Sequence, residues 1–133
     1  MKIVINGCYG GFGLSHEAVL RYYELKGQKV YAIKDKFDDW IYSTVPEDEY
    51  NRLHREAYSG EKRDFTKFNA VYLSYYNMER NDPALIQVIE EMGSAASGQF
   101  SELHIVNIPD DVKWEIQEYD GCEHIAEVHR TWS

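Results

Sequence analysis

The 133-residue chain has little cysteine and proline, with two and three residues, and it lacks a long apolar run. Two cysteines, Cys8 and Cys122, are too few for a disulfide framework, so we expect both thiols to be reduced. No stretch approaches the ~20 apolar residues of a membrane helix, and the first residues lack the apolar core of a signal peptide. The sequence therefore predicts a cytoplasmic protein without a membrane segment.

Basic residues are also scarce, since 14 lysines and arginines face 23 acidic residues and leave a net charge of -9. Such a chain repels polyanions, so we expect no binding to DNA or RNA polymers. An anionic ligand must then be small and held by a few focused cations. Aromatic residues, in contrast, make up 14% of the chain, and the length fits one domain over residues 1–133.

Two familiar phosphate-binding motifs are missing from the glycine-rich loop at residues 7–13. The third residue after Gly13 is His16, which breaks G-x-G-x-x-G. Phe12 stands where the P-loop motif needs its second glycine, and no lysine follows it. The sequence therefore argues against a dinucleotide dehydrogenase and against a P-loop ATPase.

The loop nevertheless has the composition of a small-anion site. Gly10 and Gly11 free the backbone, and the first amides of the following helix favour an anion such as phosphate. Tyr9 and Phe12 are candidates to stack on a flat ring beside it. The alternative interpretation is a tight strand-to-helix turn whose aromatic residues pack into the core.

Further candidate ligand residues lie later in the chain. Arg80 comes just before a capped helix start, and Ser97 lies in a small-residue loop suited to close backbone approach. At the C-terminal end, His129, Arg130 and Trp132 place a cation beside rings, a combination that suits a purine nucleotide. The alternative there is an edge strand whose tryptophan packs on the core or on a second subunit.

Catalytic and metal-binding patterns are weak. His124 and His129 are five residues apart, so on a regular strand they point to opposite faces and do not share a metal. Cys8, beside a helix start, is a candidate thiol nucleophile, although cysteines at strand ends are more often core residues. The sequence thus predicts no catalytic residue, no metal and no cofactor.

The periodicity predicts an α+β fold, with a mostly antiparallel sheet of about five or six strands and two flanking helices. One helix begins after the cap Ser15 and ends at Gly27; the other begins at Asp82-Pro83 and ends at Gly93. Residues 46–63 fit either a short exposed helix or a loop. Candidate strands lie at residues 3–5, 29–33, 40–45, 70–76, 103–108, 112–116 and 122–130.

Three segments together resemble a known family. They are INGCYGGFGLSHEAVLRYYELKG near the start, RNDPALIQVIEEMG, and IVNIPDDVKWEIQEYDG followed by EVHRTW. The chain resembles the type I Thoeris anti-defence proteins of phages, called sponges, over residues 1–32 and 80–133. Residues 34–79 do not align.

The resemblance implies an α+β protein that forms homodimers or larger homo-oligomers in the cytoplasm of the infected bacterial host. It implies binding, without cleavage, of glycocyclic ADP-ribose signals made by bacterial TIR-domain enzymes, and in some members of cyclic oligonucleotides. The chain is then expected to be a non-catalytic binding protein for a cyclic ADP-ribose-type nucleotide. Two alternatives stay open: a small enzyme that degrades such a signal through Cys8 or His129, and a phage structural or interaction protein without a small ligand.

Overall fold

The computed structural model describes residues 1–59, 63–74 and 78–128, which form two compact units. Unit 1 contains the described residues of 1–25 and 78–128, and unit 2 those of 26–59 and 63–74. The described residues form an α+β fold with four α-helices and six strands. In chain order these are β1 (Lys2–Asn6), α1 (His16–Leu25), β2 (Tyr31–Lys34), β3 (Trp40–Ser43), α2 (Glu47–Tyr58), α3 (Thr66–Val71), α4 (Pro83–Met92), β4 (Leu103–Asn107), β5 (Trp114–Tyr119) and β6 (Cys122–Glu127).

The core of unit 1 lies around β1, which pairs antiparallel with β4 so that Val4 is opposite Ile105. Residues 3–6 of β1 are all buried, and the β-branched Ile3, Val4 and Ile5 are the residues expected of a strand covered on both faces. Helix α4 packs on β1 and contributes buried aliphatic side chains such as Leu85. Helix α1 packs on α4 and buries Val19, which completes an apolar interior.

Both predicted helices of unit 1 are confirmed, together with their ends. The hydroxyl of Ser15 accepts the N–H of Ala18 at 3.2 Å, and a carboxylate oxygen of Asp82 accepts that of Ala84 at 2.9 Å. Gly93 ends α4 with φ near 58°, a conformation that glycine adopts without steric cost. These ends are encoded by neighbouring residues, so the sequence alone located them.

The prediction of one sheet with five or six strands is wrong, because the strands form three separate antiparallel pairs: β1 with β4, β2 with β3, and β5 with β6. In unit 1, the edge of β1 that faces away from β4 explains why no third strand joins this pair. The N–H of Val4 bonds the carbonyl of Arg80 at 2.8 Å, and the N–H of Asn6 bonds the carboxylate of Glu123 at 2.9 Å. A loop backbone and a side chain thus occupy the edge where a third strand would pair.

The hairpin of β5 and β6 confirms a locally encoded turn. Asp120 and Gly121 both have positive φ, 48° and 88°, as the tight turn between antiparallel strands requires. The register places Tyr119 opposite Cys122. Residues 129–130 of the predicted last strand lie outside the described residues.

Unit 2 combines the hairpin of β2 and β3 with helices α2 and α3. Helix α2 decides between the two interpretations of residues 46–63 in favour of a helix, which buries Tyr50, Leu53 and Ala57 at helical spacing. The predicted strand at residues 70–76 is wrong over its first residues, because residues 66–71 form α3. Beyond that helix, the N–H of Leu73 bonds the carbonyl of Tyr42 at 2.9 Å, and residues 75–76 lie outside the described part.

The predicted number of two helices is likewise too low, because unit 2 adds α2 and α3. Helix α3 is held by ring packing: Phe68 lies 5.1 Å from Tyr50 and 5.2 Å from His54, measured between ring centroids. Such contacts between distant segments override the alternating pattern that indicated a strand. Across the residues described here, no helix has the length and apolar character needed to cross a membrane.

Candidate functional site

The glycine-rich loop after β1 is packed tightly against two other segments of unit 1. A Cβ atom added at Gly10 would overlap the backbone of Phe100. A Cβ added at Gly121, in the turn between β5 and β6, would lie 2.5 Å from the nitrogen of Gly11 and from the carbonyl oxygen of Tyr9. These glycines therefore permit close contact between segments of the protein itself, and that contact fixes the position of the loop.

The buried amide side chain of Asn6 anchors the start of the loop. Its nitrogen donates to the carbonyls of Cys8 at 2.7 Å and Gly121 at 2.8 Å, while its oxygen accepts the N–H of Glu102 at 2.8 Å. The side chain thus joins the loop, the hairpin turn and the start of β4. Because a buried amide must satisfy its donors and acceptors internally, this network disfavours other loop conformations.

A charged pair lies beneath the same loop. The guanidinium of Arg80 bonds both carboxylate oxygens of Glu123, at 2.6 and 2.9 Å, and the two side chains are only 17% and 5% exposed. Bidentate pairing of this kind is the strongest geometry open to arginine. The pair also orders the edge of β1, because the same carboxylate accepts the N–H of Asn6.

Arg80 also covers the ring of Phe12, with its guanidinium carbon 3.6 Å from the ring centroid. This is a cation–π contact within one unit of the protein. The structure thus brings together two predicted ligand residues, Phe12 and Arg80. It also shows that the charge of Arg80 is balanced by Glu123, which lowers the attraction that this arginine offers to a phosphate.

The rings around the loop define a surface of unit 1, which we call the loop-ring surface: Tyr9, Phe12, Phe100 and Tyr119. Three of these side chains are strongly exposed, Tyr9 by 69%, Phe100 by 66% and Tyr119 by 71%, while Phe12 is partly buried. They belong to the segments that meet at Gly10, Gly11 and Gly121. Tyr9 and Phe12 lie on the loop itself, and Phe100 and Tyr119 lie on the segments beside it; exposed rings on adjoining segments are typical of a binding surface.

Helix α4 begins three residues after Arg80, and its start is hydrogen-bonded to α1. The hydroxyl of Tyr22 donates to a carboxylate oxygen of Asp82 at 2.7 Å. Burial and, to a smaller extent, this carboxylate raise the pKa of Tyr22 well above its ordinary value, so the phenol keeps its proton. The bond fixes the helix cap two residues after Arg80.

Ser97, predicted to lie where a ligand can approach the backbone closely, instead contacts other parts of the protein. The hydroxyl of Ser97 accepts the N–H of Leu103 at 3.0 Å, and Ser97 forms a bridge with Leu14. The neighbouring N–H of Gly98 donates to the carbonyl of Gly13 at 2.9 Å. This segment therefore fastens the end of the glycine-rich loop, and a contact of Ser97 with a ligand stays a prediction.

The predicted C-terminal ligand residues, His129, Arg130 and Trp132, lie outside the described residues. His124, on β6, has its Nε2 atom 3.0 Å from the side-chain oxygen of Gln117. Within the described ranges, no group of three or more histidine, cysteine or acidic side chains is arranged to hold a metal. Cys8, the candidate nucleophile, is half-buried.

A cavity in unit 2 was not predicted from the sequence. It has a volume of about 420 Å³ and lies between the turn from β2 to β3 and one face of α2. The sequence signal was a polar turn at residues 34–39 that contains an isolated phenylalanine, Phe37, but nothing local linked this turn to α2. At the bottom of the cavity lies Tyr50, whose pKa is raised chiefly by burial.

Comparison of the chain with protein-family models, with curated proteins and with solved structures finds no match.

Proposed function

We propose that this protein is a phage anti-defence sponge that binds and sequesters, without cleaving, a cyclic ADP-ribose-type signal such as glycocyclic ADP-ribose. The observation that carries the proposal is the loop-ring surface, three exposed rings on the glycine-rich loop and on two segments packed closely against it. An adenine ring stacks on such side chains through its flat π face. The family resemblance supplies the identity of the signal.

In this proposal the rings hold the adenine, and Arg80 keeps Phe12 in place. A guanidinium 3.6 Å from the ring centroid, itself fixed by Glu123, restricts the rotation of that ring. Ring order of this kind lowers the entropy that ligand binding costs. Arg130 keeps its predicted role as partner of the diphosphate, and the active form is a homodimer or a higher homo-oligomer in the cytoplasm of the infected host.

Titration calorimetry with glycocyclic ADP-ribose tests the proposal, followed by heating of the complex and chromatography of the released ligand. A sponge must bind a micromolar signal with a dissociation constant near the nanomolar range, or about -12 kcal/mol, and must release it intact. Fragments in place of the intact molecule would show an enzyme, and absence of binding would reject this ligand. Ultracentrifugation of the complex measures the number of chains per ligand.

Variants of the exposed rings locate the site. Because stacking contributes about 1–3 kcal/mol per base, Tyr9→Ala and Phe100→Ala should each weaken binding about fivefold or more. Tyr58→Ala is the matched control, since Tyr58 is an exposed ring of unit 2 outside the loop-ring surface. Equal affinities of all three variants would show that the loop-ring surface is not the binding site.

A further inference from the structure

The cavity in unit 2 has the form of a small-molecule site. Its volume of about 420 Å³ falls in the range of ligand pockets, about 300–1,000 Å³. Ile33 of β2 and Tyr50 of α2, which line it, are 5% and 7% exposed and form an apolar bottom. The cavity shares no residue with the loop-ring surface, so its function is a separate question.

The turn that forms one wall holds an exposed ring in a fixed place. A carboxylate oxygen of Asp35 accepts the N–H groups of Phe37 at 2.8 Å and Asp39 at 3.0 Å, and the N–H of Asp35 bonds the carbonyl of Asp39 at 2.9 Å. Phe37 nevertheless is 73% exposed. A large ring presented to solvent by a rigid turn, beside an apolar cavity, is suited to stack on a flat ligand.

The charges around the cavity restrict the ligand further. Lys34 is engaged, since its ammonium lies 3.2 Å from the carboxylate of Asp38 and 4.6 Å from the ring centroid of Trp40. The ammonium of Lys36 lies 5.1 Å from the ring centroid of Phe37, so a cation accompanies the exposed ring. On the opposite wall Glu47 of α2 repels anions, which directs a negative group towards Lys36.

The balance of charge excludes a heavily charged ligand. The two lysines that line the cavity are matched by Asp35 and Glu47, with His54 and the amide of Asn51 as further polar groups on α2. One anionic group can be accommodated beside Lys36, whereas several phosphates would meet the two carboxylates. The remaining surface at the bottom is apolar and favours a ring.

We propose that this cavity binds a small planar molecule that carries one anionic group, with its ring against Phe37 and its anion beside Lys36. Asn51 and His54 then offer hydrogen bonds to polar edges of the ring. Two classes of molecule share this chemistry, nucleoside monophosphates and aromatic carboxylates.

The test is a nuclear magnetic resonance titration of the full chain with three probes, adenosine 5′-monophosphate, benzoate and adenosine. We expect shifts of the amides of residues 33–37 and 47–54 with at least one of the two anionic probes, and weaker binding of adenosine. A response to the monophosphate alone identifies a nucleotide site, and a response to benzoate alone an aromatic-acid site. Adenosine binding as tightly as the monophosphate, or no shift of these amides with either anion at millimolar concentration, would overturn the proposal.

Variants separate this site from the proposed sponge function. Phe37→Ala and Lys36→Gln should each raise the dissociation constant about three- to fivefold or more, while Phe37→Tyr keeps the ring and the affinity. Lys29→Gln is the control, because Lys29 lies 5.1 Å from the ring centroid of Tyr31, a matching cation–π pair that does not line the cavity. Equal affinities in Phe37→Ala, Lys36→Gln and the control would refute the site, while the affinity of the Tyr9 variant reports on the loop-ring surface alone.

Discussion

The ion pair of Arg80 and Glu123 gives the sharpest test of how unit 1 is held together. Glu123→Gln keeps the shape of the side chain and an oxygen for the N–H of Asn6, but it leaves the guanidinium, 17% exposed, without its counter-charge. Removing one partner of a buried pair costs about 3–5 kcal/mol, and the remaining exposure of Arg80 points to the low end, about 3 kcal/mol. Urea unfolding followed by circular dichroism measures the loss, which at a slope of about 2 kcal/mol per molar is a midpoint shift of about 1.5 M.

The control is Glu118→Gln, because Glu118 lies directly opposite Glu123 in the hairpin but is exposed. Its midpoint should change little, since exposed charges contribute at most about 1 kcal/mol. The double variant Arg80→Met with Glu123→Gln should unfold at a higher urea concentration than Glu123→Gln alone, because no unpaired charge remains and methionine still packs on Phe12. If Glu123→Gln and Glu118→Gln shift the midpoint equally, the reasoning is refuted.

Three further perturbations test helix and loop contacts. Hydrogen bonding, chiefly with Arg21, lowers the pKa of the Glu91 carboxylate from 4.5 to about 2. The stabilisation by this carboxylate is therefore complete above pH 4.5 and is lost as the pH falls towards 2. Thermal unfolding should show this loss of stability at low pH, and the loss should be smaller in Glu91→Gln. Gly10→Ala should lower the free energy of unfolding by about 1–3 kcal/mol, because its Cβ would overlap a neighbouring backbone, whereas Gly13→Ala, with open space around it, should not show this overlap penalty. Asp82→Ala removes a helix cap and the acceptor of a tyrosine hydroxyl, so urea unfolding should show a loss of about 2 kcal/mol; a loss below 0.5 kcal/mol would contradict the assigned contacts.

The parts of the fold that the sequence predicted are those with local signals. The cap at Asp82, the helix end at Gly93 and the turn at Asp120-Gly121 are each set by a few neighbouring residues, and all are confirmed. The single sheet failed for a long-range reason. The N–H of Asn6 is taken by the side chain of Glu123, 117 residues away, and no periodicity in either segment predicts that bond.

The candidate site was predicted only in part, because some of its contacts join residues that are distant in the sequence. The glycine-rich loop with Tyr9 and Phe12 is visible in the sequence, but the partner of Arg80 is not, because Glu123 follows it by 43 residues and no local pattern links the two. The cavity of unit 2 was missed since its walls, the turn around Phe37 and the helix face around Tyr50, meet only after folding. Conversely, Val71, the first of the alternating residues that predicted a strand, ends a short helix whose Phe68 packs on Tyr50 of α2.

The pairing of Arg80 changes what a sponge built on this chain requires. A nanomolar complex needs about 12 kcal/mol, and one stacked base supplies about 1–3 kcal/mol of that. A phosphate that approached Arg80 would have to compete with a carboxylate already held at 2.6 and 2.9 Å, so this arginine adds little net affinity. The remaining energy must come from other cations, of which the sequence offers Arg130, and from surface that a second chain closes over the rings. Tight binding of the signal therefore requires the proposed homo-oligomer, whereas a monomer with only the loop-ring surface would bind weakly.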